Sequence, residues 1–149
     1  MITIKNTQRT IPVNTDALQT DTQRILDFLG YADFDIGIWV TTDKTIRGYN
    51  KQYRSKDKAT DILSFPFWPH LKAGERIKPK NNEEKNLGDL IISAPYVERE
   101  ALKYGVSFDE RVRVLLVHGI CHLLGYDHER DDDYETMRTQ EKKILAHLK

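Results

Sequence analysis

Cysteine is nearly absent from this chain: Cys121 stands alone among 149 residues. A single thiol excludes an internal disulfide and suits a reducing compartment. Net charge is missing too, because 23 basic residues balance 23 acidic ones. Global charge therefore does not advertise a nucleic-acid partner. No stretch approaches the roughly 20 apolar residues that a membrane-spanning helix requires. The N-terminus has no basic segment followed by an apolar run. Together these absences lead to the expectation of a cytoplasmic protein with no membrane partner. No internal repeat is visible either.

What is present is ordinary in bulk and uneven in detail. Apolar residues make up 39% and charged residues 31%, as in a globular domain. At this length one domain over residues 1–149 is expected, burying roughly 68–70% of the surface its unfolded chain exposes. Charge is locally segregated. From Asp43 to Lys80 there are ten basic residues, including Arg47, Lys51 and Arg54, against four acidic ones. From Asp127 to Glu135 six carboxylates accompany the single basic residue Arg130. A phosphate-bearing ligand could use the first region, although a solvated surface is the default reading of such a run.

The most informative stretch is His118-Gly119-Ile120-Cys121-His122-Leu123-Leu124-Gly125-Tyr126-Asp127-His128, which holds three of the five histidines. An offset of four places His118 and His122 one helical turn apart, separated by about 40° in azimuth. Gly125 follows where a helix can end in the left-handed conformation. The turn beyond it can bring His128 back toward the other two. The result is a three-nitrogen metal site with an open fourth position, the arrangement of catalytic zinc. A lone His-x-x-x-His usually means nothing chemical, and the third histidine is what raises this one above chance. The spacing is that of the metzincin peptidase motif, except that Gly119 stands where those enzymes carry their general-base glutamate. Metal binding is expected and peptide hydrolysis is not. Cys121 points about 100° away from His122 and reads as a small buried hydrophobe rather than a ligand. Asp127 reads as a group that orients the turn or a ligand imidazole. His70 and His147 read as surface residues.

The remaining periodicities place this motif in an α+β fold, with strands and helices packed in layers. Alternation predicts strands near Ile2–Lys5, Phe34–Thr41, Asp61–Phe67 and Leu87–Ser93. Pro66 restricts the third of these to an edge or an exit. Helical spacing covers Thr15–Leu29, Asp43–Tyr53, Ala94–Tyr104 and about Asp132–Leu148. Ser107-Phe108-Asp109-Glu110 has the form of a capping box and should begin the helix that bears the first two histidines. Residues 68–86 are polar and lysine-rich, and read as a long mobile excursion.

Three blocks of this chain resemble the YbeY family of rRNA maturation factors, described as metal-dependent endoribonucleases. They are Asn50 to Phe67 (with Arg54 and the Asp57-Lys58-Ala59-Thr60-Asp61 segment), Leu87 to Ser93, and His118 to His128. Their order, their separations and the total length are also similar to that family. The resemblance implies one Zn²⁺ ion bound by His118, His122 and His128, with Arg54 as the functional arginine. It implies action on single-stranded RNA, a role in 16S rRNA 3′-end maturation and ribosome quality control, and the small ribosomal subunit as a partner. Ala59 stands where the family usually has proline, Cys121 where leucine is usual, and residues 70–86 look like an insertion. A metallopeptidase-like hydrolase and a non-catalytic ribosome assembly factor with a structural zinc are the competing readings. The missing glutamate at 119 argues against the first, and a fourth protein ligand would support the second.

Overall fold

The sheet is built from four segments whose alternation or apolar runs were visible in the sequence. The computed structural model describes residues 1–149, with β1 (Ile2–Asn6), β2 (Asp35–Thr41), β3 (Ile62–Pro66) and β4 (Asn86–Ser93). Their order is β1-β2-β4-β3; β1, β2 and β4 run parallel and β3 pairs antiparallel to β4. β3 is thus an edge strand, consistent with Pro66 at its end. Five helices surround the sheet: α1 (Thr15–Leu29), α2 (Asp43–Arg54), α3 (Ala94–Tyr104), α4 (Phe108–Leu123) and α5 (Asp131–Leu148). The architecture is α+β with a mixed, open sheet, as expected from the sequence.

Strand alternation sorts the helices onto two faces. Ile36, Ile38, Val40, Ile62, Leu90 and Ile92 point into the main core, together with Leu26 of α1, Leu116 and Ile120 of α4, and Ile144 of α5. The residues between them in sequence point the other way. Leu63 and Ile91 meet Ile46 of α2 in a small second cluster. Neighbouring strand positions face opposite sides, so α2 and α4 lie on opposite faces of the sheet and both flank β3. Beyond α2, much of that second face is uncovered.

α4 forms where its cap and its apolar stripe agree. Ser107 Oγ accepts from the Glu110 N–H at 3.1 Å, fulfilling half of the expected capping box. Leu116, Ile120 and Leu123 are fully buried, each stabilising by about 1.5–3 kcal/mol relative to exposure. The helix rides unusually close to the sheet at Gly119. A Cβ there would lie 2.8 Å from Ile62 Cδ1 and 2.9 Å from Leu90 Cδ2.

Residues 68–86 contain a short 3₁₀ turn at Asn82–Glu84 and are anchored to the core through Trp68, Leu71 and Ile77. Ile77 is buried, and its N–H donates to Tyr31 Oη at 3.2 Å. The Arg76 guanidinium donates to the carbonyls of Leu29 (2.7 Å) and Gly30, capping the end of α1. Composition alone gave no sign of this anchor.

Candidate metal centre

α4 carries His118 and His122 at its C-terminal end, half-buried on a rigid, core-packed helix. Past Leu124 the chain reverses at Gly125, whose φ is +91°. Any side chain there would be strained, and it would also run into the Leu71 backbone. The reversal delivers the exposed residue His128, whose own N–H donates to Asp127 Oδ1 at 2.6 Å. Asp127 orients the turn, in agreement with its reading from sequence. The three imidazoles converge, with a donor atom of each within 4.8 Å of the others.

The second ring nitrogens decide what the cluster can do. His122 Nδ1 lies 2.9 Å from the Tyr126 carbonyl, which can only accept, so Nδ1 carries the proton and Nε2 the lone pair. His118 Nδ1 lies 3.0 Å from Glu141 Oε2 of α5. An ionised carboxylate likewise accepts only, so the neutral His118 ring keeps its proton on Nδ1 and its lone pair on Nε2. The two Nε2 atoms face each other at 3.1 Å, and with both rings as neutral Nδ1–H tautomers two lone pairs point into one space. Two lone pairs at that separation repel, and a cation placed between them removes the repulsion. The donor set therefore fits a metal ion, with a carboxylate and a backbone carbonyl fixing the ligand tautomers behind it.

Local electrostatics favour the ligating form. The His122 pKa is lowered to about 4, mainly by burial and then by the charges of His118 and His128. Its imidazole stays neutral near neutral pH and offers no competition from a proton. Burial, reinforced by the charge of Glu141, pushes the Cys121 thiol up to about 12. Cys121 is fully buried and remains a protonated core residue.

Gly119 occupies the position next to His118, and its environment explains the absent glutamate. The residue packs on Ile62 and Leu90, and its carbonyl accepts from Ser64 Oγ at 3.3 Å. A carboxylate at 119 would be driven into the sheet rather than toward the ligand cluster. His70 and His147 are exposed, the latter stacked on Phe28 with centroids 4.6 Å apart.

Arg54 is not part of the cluster. It ends α2, on the sheet face opposite α4, and is exposed with no ion-pair partner. Its placement is nevertheless well defined. Ser55, with φ of 57°, closes the helix in the left-handed region, and the N–H groups of Ser55 and Lys56 return to Lys51 and Asn50. The buried Asn50 holds the following loop through the Lys58 carbonyl at 2.9 Å, and Arg47 pairs with Asp57 at 2.8 Å. Asp61 is a structural tether: Arg111 of α4 lies 3.5 Å from it and 3.4 Å from Glu100 of α3. Burial raises the Glu100 pKa, with the charge of Asp61 adding to the effect.

Glu141 is the site residue that sequence reasoning missed. It lies 23 positions from His118, in a helix rich in charged residues, where a carboxylate reads as solvent-facing. No local pattern pointed to it.

Comparison with known proteins shows the family. The family model described as endoribonuclease YbeY matches residues 3–149. A human protein named endoribonuclease YbeY is 35% identical over 99% of this chain and 87% of its own length. A Geobacter metallireducens protein of the same name is 40% identical over 99% of this chain and 95% of its own length. Among solved structures, a Thermotoga maritima protein determined in solution aligns with a TM-score of 0.59. That alignment covers 99% of this chain and 91% of the other, at 20% identity, and speaks for the fold alone. The match along nearly the whole chain, at 35–40% identity to these two relatives, places this protein in the endoribonuclease YbeY family.

Proposed function

We propose that this chain is a zinc-dependent endoribonuclease acting on single-stranded RNA. In this reading it works in the cytoplasm on rRNA of the small ribosomal subunit, in 16S rRNA 3′-end maturation and ribosome quality control. His118, His122 and His128 hold one Zn²⁺ ion, and Arg54 engages a substrate phosphate. The observation that carries the reading is the convergence of three imidazoles, two of which have their Nδ1 atoms committed to Glu141 and to the Tyr126 carbonyl. Relatives named as endoribonucleases supply the substrate class. No helix is long and apolar enough to cross a membrane.

When bound, such an ion supplies a Lewis acid for a phosphate oxygen and lowers the pKa of a coordinated water to roughly 7. The protein's own groups do the rest. Glu141 and the Tyr126 carbonyl hold the ligand protons on Nδ1 and aim both Nε2 lone pairs at one point. The depressed pKa of His122 keeps that nitrogen free of protons throughout the neutral range. Arg54 and Lys51, neither paired with a carboxylate, provide permanent positive charge for the phosphodiester backbone, Arg54 in bidentate form. The ligand group contains three residues, as in catalytic zinc sites, whereas structural zinc is normally closed by four. The buried, sheet-facing position of residue 119 speaks against a peptidase.

The test is single-turnover cleavage of a defined single-stranded RNA by metal-loaded, chelated and zinc-reloaded protein. Cleavage that disappears on chelation and returns with zinc supports the proposal. Cleavage indifferent to chelation, with complete metal removal verified, contradicts it.

A further inference from the structure

The uncovered face of the sheet, opposite the histidine cluster, holds a cavity of about 420 Å³. That lies within the roughly 300–1,000 Å³ of small-ligand sites. Its walls are aromatic and come from three elements. Tyr49 and Tyr53, one turn apart on α2, stack at 6.1 Å with an interplanar angle of 7°. Phe65 of β3 meets Tyr53 edge-on at 5.3 Å, and Trp39 of β2 meets Tyr49 edge-on at 5.7 Å. Trp39 is held in place by Nε1 donating to Thr7 Oγ1 at 2.8 Å, and Lys5 Nζ lies 5.3 Å from its ring centroid. Tyr53 is 60% exposed, so its ring is accessible from solvent.

The lining includes one carboxylate. Asp89 projects from β4, and its carboxylate lies across Gly37 of the neighbouring strand, where even a Cβ would collide with Oδ1. Its carboxylate is exposed and forms no hydrogen bond or ion pair with any protein group, so its acceptor capacity is open to a ligand beside the aromatic wall. A protein partner would be a poor fit, since interface cores are depleted in charged residues. A nucleobase satisfies both features. Its π face suits the tyrosine stack, and its N–H groups suit the carboxylate. Arg54, immediately after Tyr53 and free of ion pairs, matches the charge of an attached phosphate.

We propose that this cavity receives one unstacked base of the RNA, with Tyr49 and Tyr53 as the stacking platform and Asp89 reading the base edge. The proposal rests on the RNA-cleaving function proposed above. Guanine is the preferred base because N1–H and N2–H lie side by side and can donate together to one carboxylate. Uracil presents carbonyl oxygens on both sides of its single N–H and is disfavoured. α2 and α4 flank the same edge strand, so in this proposal the RNA runs from the histidine cluster to the cavity around β3.

The experiment measures binding of short single-stranded RNAs, oligouridine with and without one central guanosine, to zinc-loaded protein by fluorescence anisotropy. Wild type is expected to bind the guanosine-containing strand more tightly. Tyr53→Ala, an exposed substitution, is expected to weaken binding of both strands about tenfold, the scale of one lost base stack. Asp89→Asn is expected to erase the guanosine preference while retaining zinc content. Wild-type RNA cleavage with unchanged affinities in both variants overturns the cavity proposal and leaves the endoribonuclease reading standing. Failure of the wild type to bind or cleave any RNA overturns both. Sedimentation showing an oligomer that Tyr53→Ala disperses would assign the face to a second copy of this chain and equally overturn the proposal.

Discussion

Glu141 offers a sharp test of the metal centre because it touches the site without being a ligand. Its Oε2 lies 3.0 Å from His118 Nδ1, and its side chain is 22% exposed. Removing it should free His118 to rotate and to adopt the wrong tautomer, with Nε2 protonated and unable to bind metal. Carboxylates in this supporting position typically contribute about 10–100-fold in metal affinity, equivalent to about 1.4–2.7 kcal/mol. Glu141→Ala should lose that whole range. Glu141→Gln keeps an acceptor oxygen and should retain the tautomer while losing the charge, so its loss should be smaller. The assay is competition for zinc against a chromophoric chelator at fixed pH, with thermal unfolding of the metal-free proteins as a control for folding. Equal zinc affinity in wild type and Glu141→Ala would refute the assigned role.

Gly119→Glu should destabilise the fold rather than create a peptidase, because its Cβ would meet Ile62 and Leu90 at under 3 Å. Overpacking costs about 1–3 kcal/mol before the buried carboxylate is counted, and thermal unfolding reads the loss directly. Arg54→Glu should lower RNA cleavage severely at unchanged metal content, and Arg54→Lys should give an intermediate loss by keeping charge without the bidentate fork. Equal single-turnover rates in all three proteins would leave Arg54 a solvated residue. Metal-free protein should lose stability on acidification because His122 binds a proton at about 4 when folded and near its ordinary 6.5 when unfolded. That contribution is fully present above pH 6.5, is lost as pH falls toward 4, and is flat below. At about 1.4 kcal/mol per pH unit, discounted for remaining solvent contact, it amounts to ~2 kcal/mol. His122→Ala should flatten the denaturant midpoint across that window.

The parts of this molecule written in local sequence were legible in it. α1 and α3 begin and end where periodicity, Gly30 and Gly105 place them. The histidine spacing pointed to the cluster because helix geometry alone brings His118 and His122 together. What could not be read depends on contacts between distant segments. Glu141 looks like any carboxylate on a charged helix until α5 is laid beside α4. The missing glutamate at 119 was visible, but its cause, the close approach of α4 to Ile62 and Leu90, was not. Arg76 and Ile77 anchor a stretch whose composition suggested an excursion. Trp39, Tyr49, Tyr53 and Phe65 come from three elements and only the sheet order assembles them.

The central claim is that His118, His122 and His128 together hold the metal on which RNA cleavage depends. The most direct measurement is zinc content by elemental analysis, paired with single-turnover cleavage of the same single-stranded RNA, for wild type, His118→Ala and His122→Ala. The expected result is about one zinc per wild-type chain, with content and cleavage falling together in both variants while the fold is retained. Wild-type zinc content and cleavage in both variants would contradict the account.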